Sequence, residues 1–404
     1  MLSKGFKTLP QKLQSLRVPH IEQILSTSLV SQVTILVLAV MRIPISLHFF
    51  GVAEYGLLLI LLTYWQIMVM FGESARKAWR IEVSWLGSVP IATFNRSALA
   101  AYLSISTVAS FIFWSQLGIS GFMMSTIVAL VGLTHLKYSP YAGILELNGF
   151  YSRVNWHLLS SNLLCFLPWY LSCRLGNNYL YLITACSAYP LSSYLCRKSC
   201  RRNLKSIKLN VSQKQHKDLR FGQFLTLSFV SKSSYLIDPF MIQGQLGAAQ
   251  VVAHSIYQKF LTLYSFTASA LSPLFMVESA RGHATNISRH AEKYLILIII
   301  LTTLPLIVFY KEIVYFLSSG KISSSVYLVF LVLVQGIIGS TVTRVIQSAN
   351  SINQLTFRIK IGVLGTIVSA LATFFLLPAF GIGISFITST LYSIAMYFCL
   401  RKKN

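Results

Sequence analysis

Twelve apolar runs, each close to twenty residues long, dominate this sequence. A helix of about twenty residues rises 1.5 Å per residue and therefore matches the ~30 Å hydrocarbon core of a bilayer. The runs predict an all-α polytopic membrane protein with about 12 transmembrane helices. The predicted spans, numbered one to twelve, are 24–43, 53–71, 98–117, 121–138, 155–174, 179–196, 221–241, 249–272, 292–311, 325–346, 356–378 and 381–400.

A strongly basic segment, Cys196 to Arg220, separates the first six spans from the last six. It contains nine Lys/Arg residues and a single acid, Asp218. Loops rich in Lys and Arg stay on the cytoplasmic side of a membrane. We therefore predict an N-terminal six-helix lobe over 1–196, a basic cytoplasmic connector over 197–220, and a C-terminal six-helix lobe over 221–404.

The positive charges are concentrated on one side of the predicted membrane. Of the 34 Lys/Arg residues, 28 fall on the same side as the connector. The opposite side has Arg42, Arg174, Lys311 and Lys321, and two lysines fall inside spans. This asymmetry predicts that both termini are cytoplasmic. Basic loops on the cytoplasmic side and their attraction to anionic lipids also account for the net charge of +24. We therefore expect membrane lipids as partners and no nucleic acid.

The composition and the loops exclude most enzyme classes. Only 11% of the residues are charged, against about 25% in a soluble domain, and the predicted outer loops are too short for a catalytic domain. The sequence contains no H-E-x-x-H motif, Walker A loop or Gly-rich dinucleotide turn. We expect no catalytic residue, no metal site, no bound cofactor and no enzymatic activity.

The candidate site residues are ionisable groups in or near the spans. A charge inside the membrane costs at least a few kcal/mol, so it usually faces a cavity and marks a pathway. Lys232 and Lys259 lie about half-way along spans seven and eight, and Arg42 closes span one. We predict that these three cations line a cavity between the lobes. The alternatives are snorkelling of Lys232 to an interface and an ordinary interfacial position for Arg42.

Two acids complete the candidate set. Asp238 is near the outer end of span seven and Glu54 opens span two. Both are expected near water, in helix-end or salt-bridge positions, and both are candidates for coupling or gating.

A short internal repeat links the two halves. Phe50-Gly51-Val52-Ala53-Glu54 lies between spans one and two, and Leu246-Gly247-Ala248-Ala249-Gln250 lies 196 residues later between spans seven and eight. Because an even number of spans separates the copies, the repeat is parallel, with a pseudo-two-fold axis along the membrane normal. Two such lobes can rock against each other in alternating access.

Several motifs resemble the Wzx-type polysaccharide (O-antigen) flippases of the MOP exporter superfamily. The first outer turn is the most specific, with Pro44 followed by Gly51-Val-Ala-Glu54-Tyr-Gly-Leu57; looser matches are Ser139-Pro-Tyr-Ala-Gly-Ile-Leu145, Asp238 with Gln245-Leu-Gly247, Tyr257-Gln-Lys259 and Ser272-Pro-Leu-Phe275. The similarity extends over nearly the whole chain. Relatives often carry an acidic-x-Gly turn at the end of span two, whereas Phe71-Gly72-Glu73 occupies that place here.

The resemblance implies a function in lipopolysaccharide or other surface polysaccharide biosynthesis. The expected substrate is an undecaprenyl-pyrophosphate-linked oligosaccharide, moved from the cytoplasmic to the periplasmic leaflet of the bacterial inner membrane. The expected partners are the polysaccharide polymerase and the chain-length machinery, and a proton or sodium gradient is a candidate energy source.

Three other classes remain open from the sequence. A MATE-like drug/cation antiporter shares this architecture, but such carriers use an acidic ion site in early spans, and span one contains no acid. A membrane enzyme of polysaccharide assembly, such as a polymerase, would need a larger outer loop. A structural or channel protein would conduct without substrate-dependent turnover.

Overall fold

The computed structural model describes residues 21–86, 91–147, 150–203, 219–281, 286–348 and 352–401. Within these ranges the chain is helical apart from short turns. The helices are α1 (Ile21–Leu86), α2 (Ile91–Leu147), α3 (Tyr151–Arg174), α4 (Asn178–Cys186), α5 (Ala188–Asn203), α6 (Leu219–Leu246), α7 (Ala248–Arg281), α8 (Asn286–Ser318), α9 (Val326–Ser348), α10 (Ile352–Phe380) and α11 (Gly383–Arg401).

These helices confirm the predicted all-α architecture of twelve spans. Helix α1 changes direction at Gly51 and thus contains spans one and two, and α2 changes direction at Gly118 and contains spans three and four. Span six is divided into α4 and α5. Helices α3 and α6 to α11 each correspond to one further span.

Three long apolar stretches within the described residues are suited to cross a bilayer by length and composition. They are Val30–Lys77, Ala98–Glu146 and Phe357–Phe380, and the first two each contain a pair of spans. Large apolar side chains also cover the outside of the helices, where a soluble protein would carry polar groups; among them are Ile119, Leu164, Leu175, Leu364, Phe375 and Phe398. Such an apolar exterior is suited to contact lipid tails.

The lobes repeat each other at their outer turns. Each of the six predicted outer connections contains a glycine with positive φ. The glycines at equivalent positions in the two lobes are Gly51 and Gly247, Gly118 and Gly320, and Gly176 and Gly381. At Gly51 the backbone has φ 76° and ψ 178°, a conformation open to glycine because it has no Cβ. The repeated turns agree with a parallel repeat of two six-helix lobes.

Each lobe has a core of large, fully buried side chains. In the N-terminal lobe Leu47, Tyr64 and Trp169 are buried, and in the C-terminal lobe Tyr257 and Phe386. The predicted connector begins inside a helix, because α5 continues to Asn203, and residues 204–218 lie outside the described part of the chain. The connector boundaries at 197 and 220 therefore stay a prediction.

The lobes approach each other closely at the beginning of span two and of α7. A methyl group on Gly56 would lie 2.6 Å from the carbonyl oxygen of Ala248 and 2.7 Å from its Cβ atom. Backbone from the two lobes is thus packed together on the outer side, at the two copies of the short repeat.

We expect the substitution Gly56→Val to lower the melting temperature of the purified protein in detergent, because the side chain must displace the Ala248 backbone. Overpacking of this kind costs about 1–3 kcal/mol. Gly244→Val is the matched control, since a Cβ at this helical glycine meets no atom within 4 Å. Equal melting temperatures for the two variants would contradict the close approach.

Candidate functional site

Arg42 lies inside the predicted membrane and not at the end of span one, where the sequence placed it. Helix α1 continues beyond it to the turn at Gly51, nine residues later, which places Arg42 ~14 Å below the outer turn along the helix. Its guanidinium carbon is 5.4 Å from the centroid of the Trp169 ring. This depth favours the cavity prediction for Arg42 over the interfacial alternative.

The surroundings of Arg42 are polar but contain no acid among the described side chains. Tyr55, Tyr181, Cys165 and Cys186 are near enough to interact with its charge. Its Nε and Nη2 atoms are buried without a hydrogen-bond acceptor. A guanidinium carries five N–H donors in a planar fork, so Arg42 keeps donors for a ligand anion.

Lys259 belongs to the opposite lobe and is near enough to Arg42 for their charges to repel each other. It follows the outer turn at Gly247 by twelve residues, or ~18 Å along α7. The structure thus brings together two of the three predicted cations, one from each lobe and at a similar depth. The ion pair between Arg76 and Glu146 involves neither of these cations, and no salt bridge to Arg42 or Lys259 occurs among the described residues.

Lys232 occupies a different level from the Arg42–Lys259 pair. It is exposed on α6 and precedes Gly247 by fifteen residues, which is ~22 Å from the outer turn. Its charge acts on the carboxylate of Glu73 in the N-terminal lobe, together with Arg76 and Lys77. Arg42 and Lys259 are therefore close together near the middle of the predicted membrane, and Lys232 lies nearer the connector side.

Glu73 is a residue that the sequence analysis did not select. It stands in the turn Phe71-Gly72-Glu73, where the motif departs from the flippase pattern, and that departure was the available signal. In the structure the neighbouring Ser74 hydroxyl donates a hydrogen bond of 3.2 Å to Ser228 of α6. Glu73 and Ser74 thus place polar contacts between the two lobes on the connector side.

Asp238 lies inside the C-terminal lobe, not near water as expected from the sequence. Its side chain is 4% exposed and lies close to the hydroxyl of Ser385 on α11. The same hydroxyl is 2.9 Å from Nε2 of His254 on α7. Asp238 of α6, His254 of α7 and Ser385 of α11 are thus grouped inside the lobe, and the acid and the imidazole are both buried.

The repeat relates Asp238 to Arg42. Each lies nine residues before the left-handed glycine of its lobe, Gly247 or Gly51. The equivalent place is therefore occupied by a cation in one lobe and an acid in the other. No sequence motif indicated this relation, because it depends on aligning the lobes at their outer turns.

Glu54 remains at the surface, where the sequence placed it. Its Oε1 atom accepts a hydrogen bond of 2.6 Å from Nδ2 of Asn178, at the beginning of α4. As an acid in the first turn after Gly51, Glu54 also interacts favourably with the positive end of the helix dipole. It ties spans two and six together on the outer side.

A turn of the C-terminal lobe also contacts the end of span one. The Lys321 ammonium donates a hydrogen bond of 2.5 Å to the carbonyl of Leu47, and the Ser319 hydroxyl donates one of 3.3 Å to the carbonyl of Pro44. Carbonyls at a helix C-terminus have no partner within the helix and attract cations. With Gly56 and Ala248, these contacts hold the lobes together on the outer side.

No cluster of three or more His, Cys, Asp or Glu side chains that could hold a metal occurs in the part of the chain that the structure describes. The arrangement can bind an anion between the lobes at Arg42 and Lys259. It can also hold a proton or a small cation at Asp238, which is enclosed within one lobe.

Comparison with known proteins gives structural neighbours only. No family model matches the sequence, and no curated protein matches it.

The structural neighbours span nearly the whole chain. The lipid II flippase MurJ in an inward closed conformation aligns with a TM-score of 0.63 at 13% identity, over 94% of this chain and 87% of that one. A multidrug resistance MATE family transporter of the MOP superfamily, in an outward-facing conformation, aligns with a TM-score of 0.63 at 13% identity, over 95% of both chains.

A third neighbour differs in the polarity of its pocket. A MOP superfamily transporter from Pyrococcus furiosus, for which reversed polarity of the binding pocket suggests a different function, aligns with a TM-score of 0.61 at 12% identity over 95% of both chains. At these identities the alignments establish the fold alone. The chain therefore has the all-α, two-lobed membrane fold of MurJ and the MATE transporters.

Proposed function

We propose that this chain is a flippase of a lipid-linked oligosaccharide. It would move an undecaprenyl-pyrophosphate-linked repeat unit, of O-antigen or a related surface polysaccharide, from the cytoplasmic to the periplasmic leaflet of the bacterial inner membrane. The observation that carries the proposal is the pair formed by Arg42 and Lys259. These cations come from opposite lobes, are near enough to repel each other, and have no salt-bridge partner among the described residues.

The chemistry of the head group fits this pair. A pyrophosphate with attached sugars cannot cross hydrocarbon unaided, because its charges lose their hydration there. A guanidinium binds phosphate oxygens bidentately, and an ammonium adds a second point charge. An anion between Arg42 and Lys259 would relieve their repulsion and bridge the lobes, while the lipid tail stays in the bilayer.

The contacts between the lobes support alternating access. Lys321, Ser319 and the Gly56–Ala248 approach connect the lobes on the outer side. Opening toward the periplasm must break these contacts, and the two backbone carbonyls of span one would then be available to water. The head group would enter from the connector side, where Lys232 is exposed, and then reach the deeper pair.

Asp238 supports coupling to a proton or sodium gradient. Burial of an acid is costly unless it is protonated or paired with a cation, and Asp238 lies close to Ser385, whose hydroxyl is 2.9 Å from Nε2 of His254. A change in its occupancy would alter the packing of α6 against α7 and α11. In this proposal Asp238 senses the gradient while Arg42 and Lys259 hold the substrate.

A second candidate, a MATE-like drug/cation antiporter, is favoured by the shared fold. The two proposals differ in the sign of the charge that contacts the substrate. A cationic drug would be repelled by Arg42 and Lys259, whereas a pyrophosphate would be attracted. The reversed pocket polarity of the Pyrococcus protein supports the idea that charge sign separates functions within this fold.

We further propose that the polysaccharide polymerase and the chain-length machinery act on the exported unit. Transport itself requires no covalent step. The chain would therefore have no enzymatic activity.

The double substitution Arg42→Gln/Lys259→Gln is expected to reduce export of the lipid-linked oligosaccharide at least tenfold. Loss of one charge-assisted hydrogen bond costs about 1.5–3 kcal/mol, and 1.4 kcal/mol corresponds to a factor of ten in binding. Export is measured in cells that lack the native protein, with membrane levels checked by immunoblotting. Lys311→Gln, which removes an exposed cation beside Tyr310, should leave export unchanged. Normal export by the double variant would refute the proposal.

Lys232→Ala is expected to slow export, whereas Lys232→Arg should keep most of it, because the position requires a positive charge near Glu73. The same cell assay reports the rate. If the alanine variant inserts normally and exports at the wild-type rate, Lys232 has no place in the pathway.

Asp238→Asn is expected to abolish the response of transport to an imposed proton or sodium gradient in proteoliposomes, because the amide cannot change its charge. Transport down a substrate gradient should continue. Glu312→Gln is the matched control, since Glu312 is an exposed acid on α8. A gradient response that survives in the Asp238 variant would exclude this acid from coupling.

A further inference from the structure

Two cations share one tyrosine ring at the connector end of the N-terminal lobe. The Lys137 Nζ atom is 5.6 Å from the centroid of Tyr138, and the Arg197 guanidinium carbon is 4.8 Å from the same centroid. Tyr194 meets this ring edge-on, with centroids 5.9 Å apart. Together Lys137, Tyr138, Tyr194 and Arg197 form a surface that we term the basic aromatic patch.

The patch lacks an anion from the described part of the protein. Neither Lys137 nor Arg197 has a salt bridge among the described side chains, and the nearby acid Glu146 is paired with Arg76. The Nε atom of Arg197 is buried without a hydrogen-bond partner. Two positive charges held against one ring repel each other, so an anion bound between them would be stabilising.

The depth of the patch matches the level of lipid phosphates. Lys137 follows the outer turn at Gly118 by nineteen residues, and Arg197 follows Gly176 by twenty-one. These separations correspond to ~28 Å and ~31 Å along a helix, close to the full hydrocarbon thickness of ~30 Å. Tyrosine is enriched at this boundary because its ring is apolar and its hydroxyl is polar.

The orientation of the patch is away from the interior of the lobe. His135 on the same helix points inward, with Nδ1 2.9 Å from the Ser193 hydroxyl. Lys137 is two positions later and thus about 200° around the helix, and it is exposed. Most of the described packing against α6, α7 and α8 comes from α1, whereas α5 packs on α2, α3 and α4.

We propose that the basic aromatic patch binds the phosphate head group of an anionic phospholipid of the cytoplasmic leaflet. Arg197 would supply a planar fork of N–H donors, Lys137 a second charge, and the tyrosines an amphipathic platform at the boundary. This site is separate from the Arg42–Lys259 pair. It holds whether or not the chain transports a lipid-linked sugar.

Lipid binding to the purified protein tests the proposal directly. Delipidated protein in a neutral detergent is titrated with cardiolipin, phosphatidylglycerol or phosphatidylcholine, and bound lipid is counted by native mass spectrometry. We expect the anionic lipids to bind and Lys137→Gln/Arg197→Gln to weaken their binding at least tenfold. Lys311→Gln, which removes a cation 6.0 Å from the Tyr310 ring at the predicted outer side, should bind as the wild type does.

Two further measurements test whether binding depends on the positive charges and on the lipid as a whole. Lys137→Arg/Arg197→Lys should retain binding, which separates a charge requirement from a folding defect. Inorganic diphosphate in the same titration should not displace the lipid at equal concentration. Wild-type binding by the glutamine variant, equal binding of phosphatidylcholine, or displacement by free diphosphate would each overturn the lipid site.

Discussion

Positive charge enclosed between two apolar lobes, without a salt bridge to balance it, is the constraint on which the rest of this structure depends. Such charges are costly to remove from water, and Arg42 and Lys259 have no acid partner among the described residues. Trp169 reduces the cost at Arg42 through a cation–π contact. The remaining electrostatic cost explains why the two lobes would bind an anion between them, and why a cation would be excluded.

The internal repeat places opposite charges at equivalent positions of the two lobes. In our proposal this allows one lobe to bind the substrate anion and the other to respond to an ion gradient. Arg42 and Asp238 occupy equivalent places before the glycine turns of their lobes, but their charges are opposite. Arg42 is near a lysine of the other lobe, whereas Asp238 is buried in its own lobe with Ser385 and His254. Arg42 would bind the substrate and Asp238 would respond to the gradient, so both lobes are needed for transport.

The sequence predicted the twelve spans and the two lobes, because apolar length is read directly from composition along the chain. It also selected Arg42, Lys259 and Lys232 as intramembrane cations, but their grouping depends on helix packing. Arg42 and Asp238 lie farther from the outer turns than the sequence predicted, since the glycine turns that follow α1's first span and α6 come nine residues after them. The contacts of Glu73 and Lys321 join residues of different lobes, and no local pattern reports such contacts.

The most direct test is whether transport by the wild-type protein depends on the negative charge of the substrate head group. Purified protein is reconstituted in liposomes with either an undecaprenyl-pyrophosphate-linked oligosaccharide or a neutral glycolipid that carries the same sugars, and flipping is measured by access of an added glycosidase. We expect rapid flipping of the pyrophosphate lipid and background rates for the neutral one. Equal rates for both lipids, or transport of a cationic drug without flipping of either, would contradict the proposed role of the Arg42–Lys259 pair.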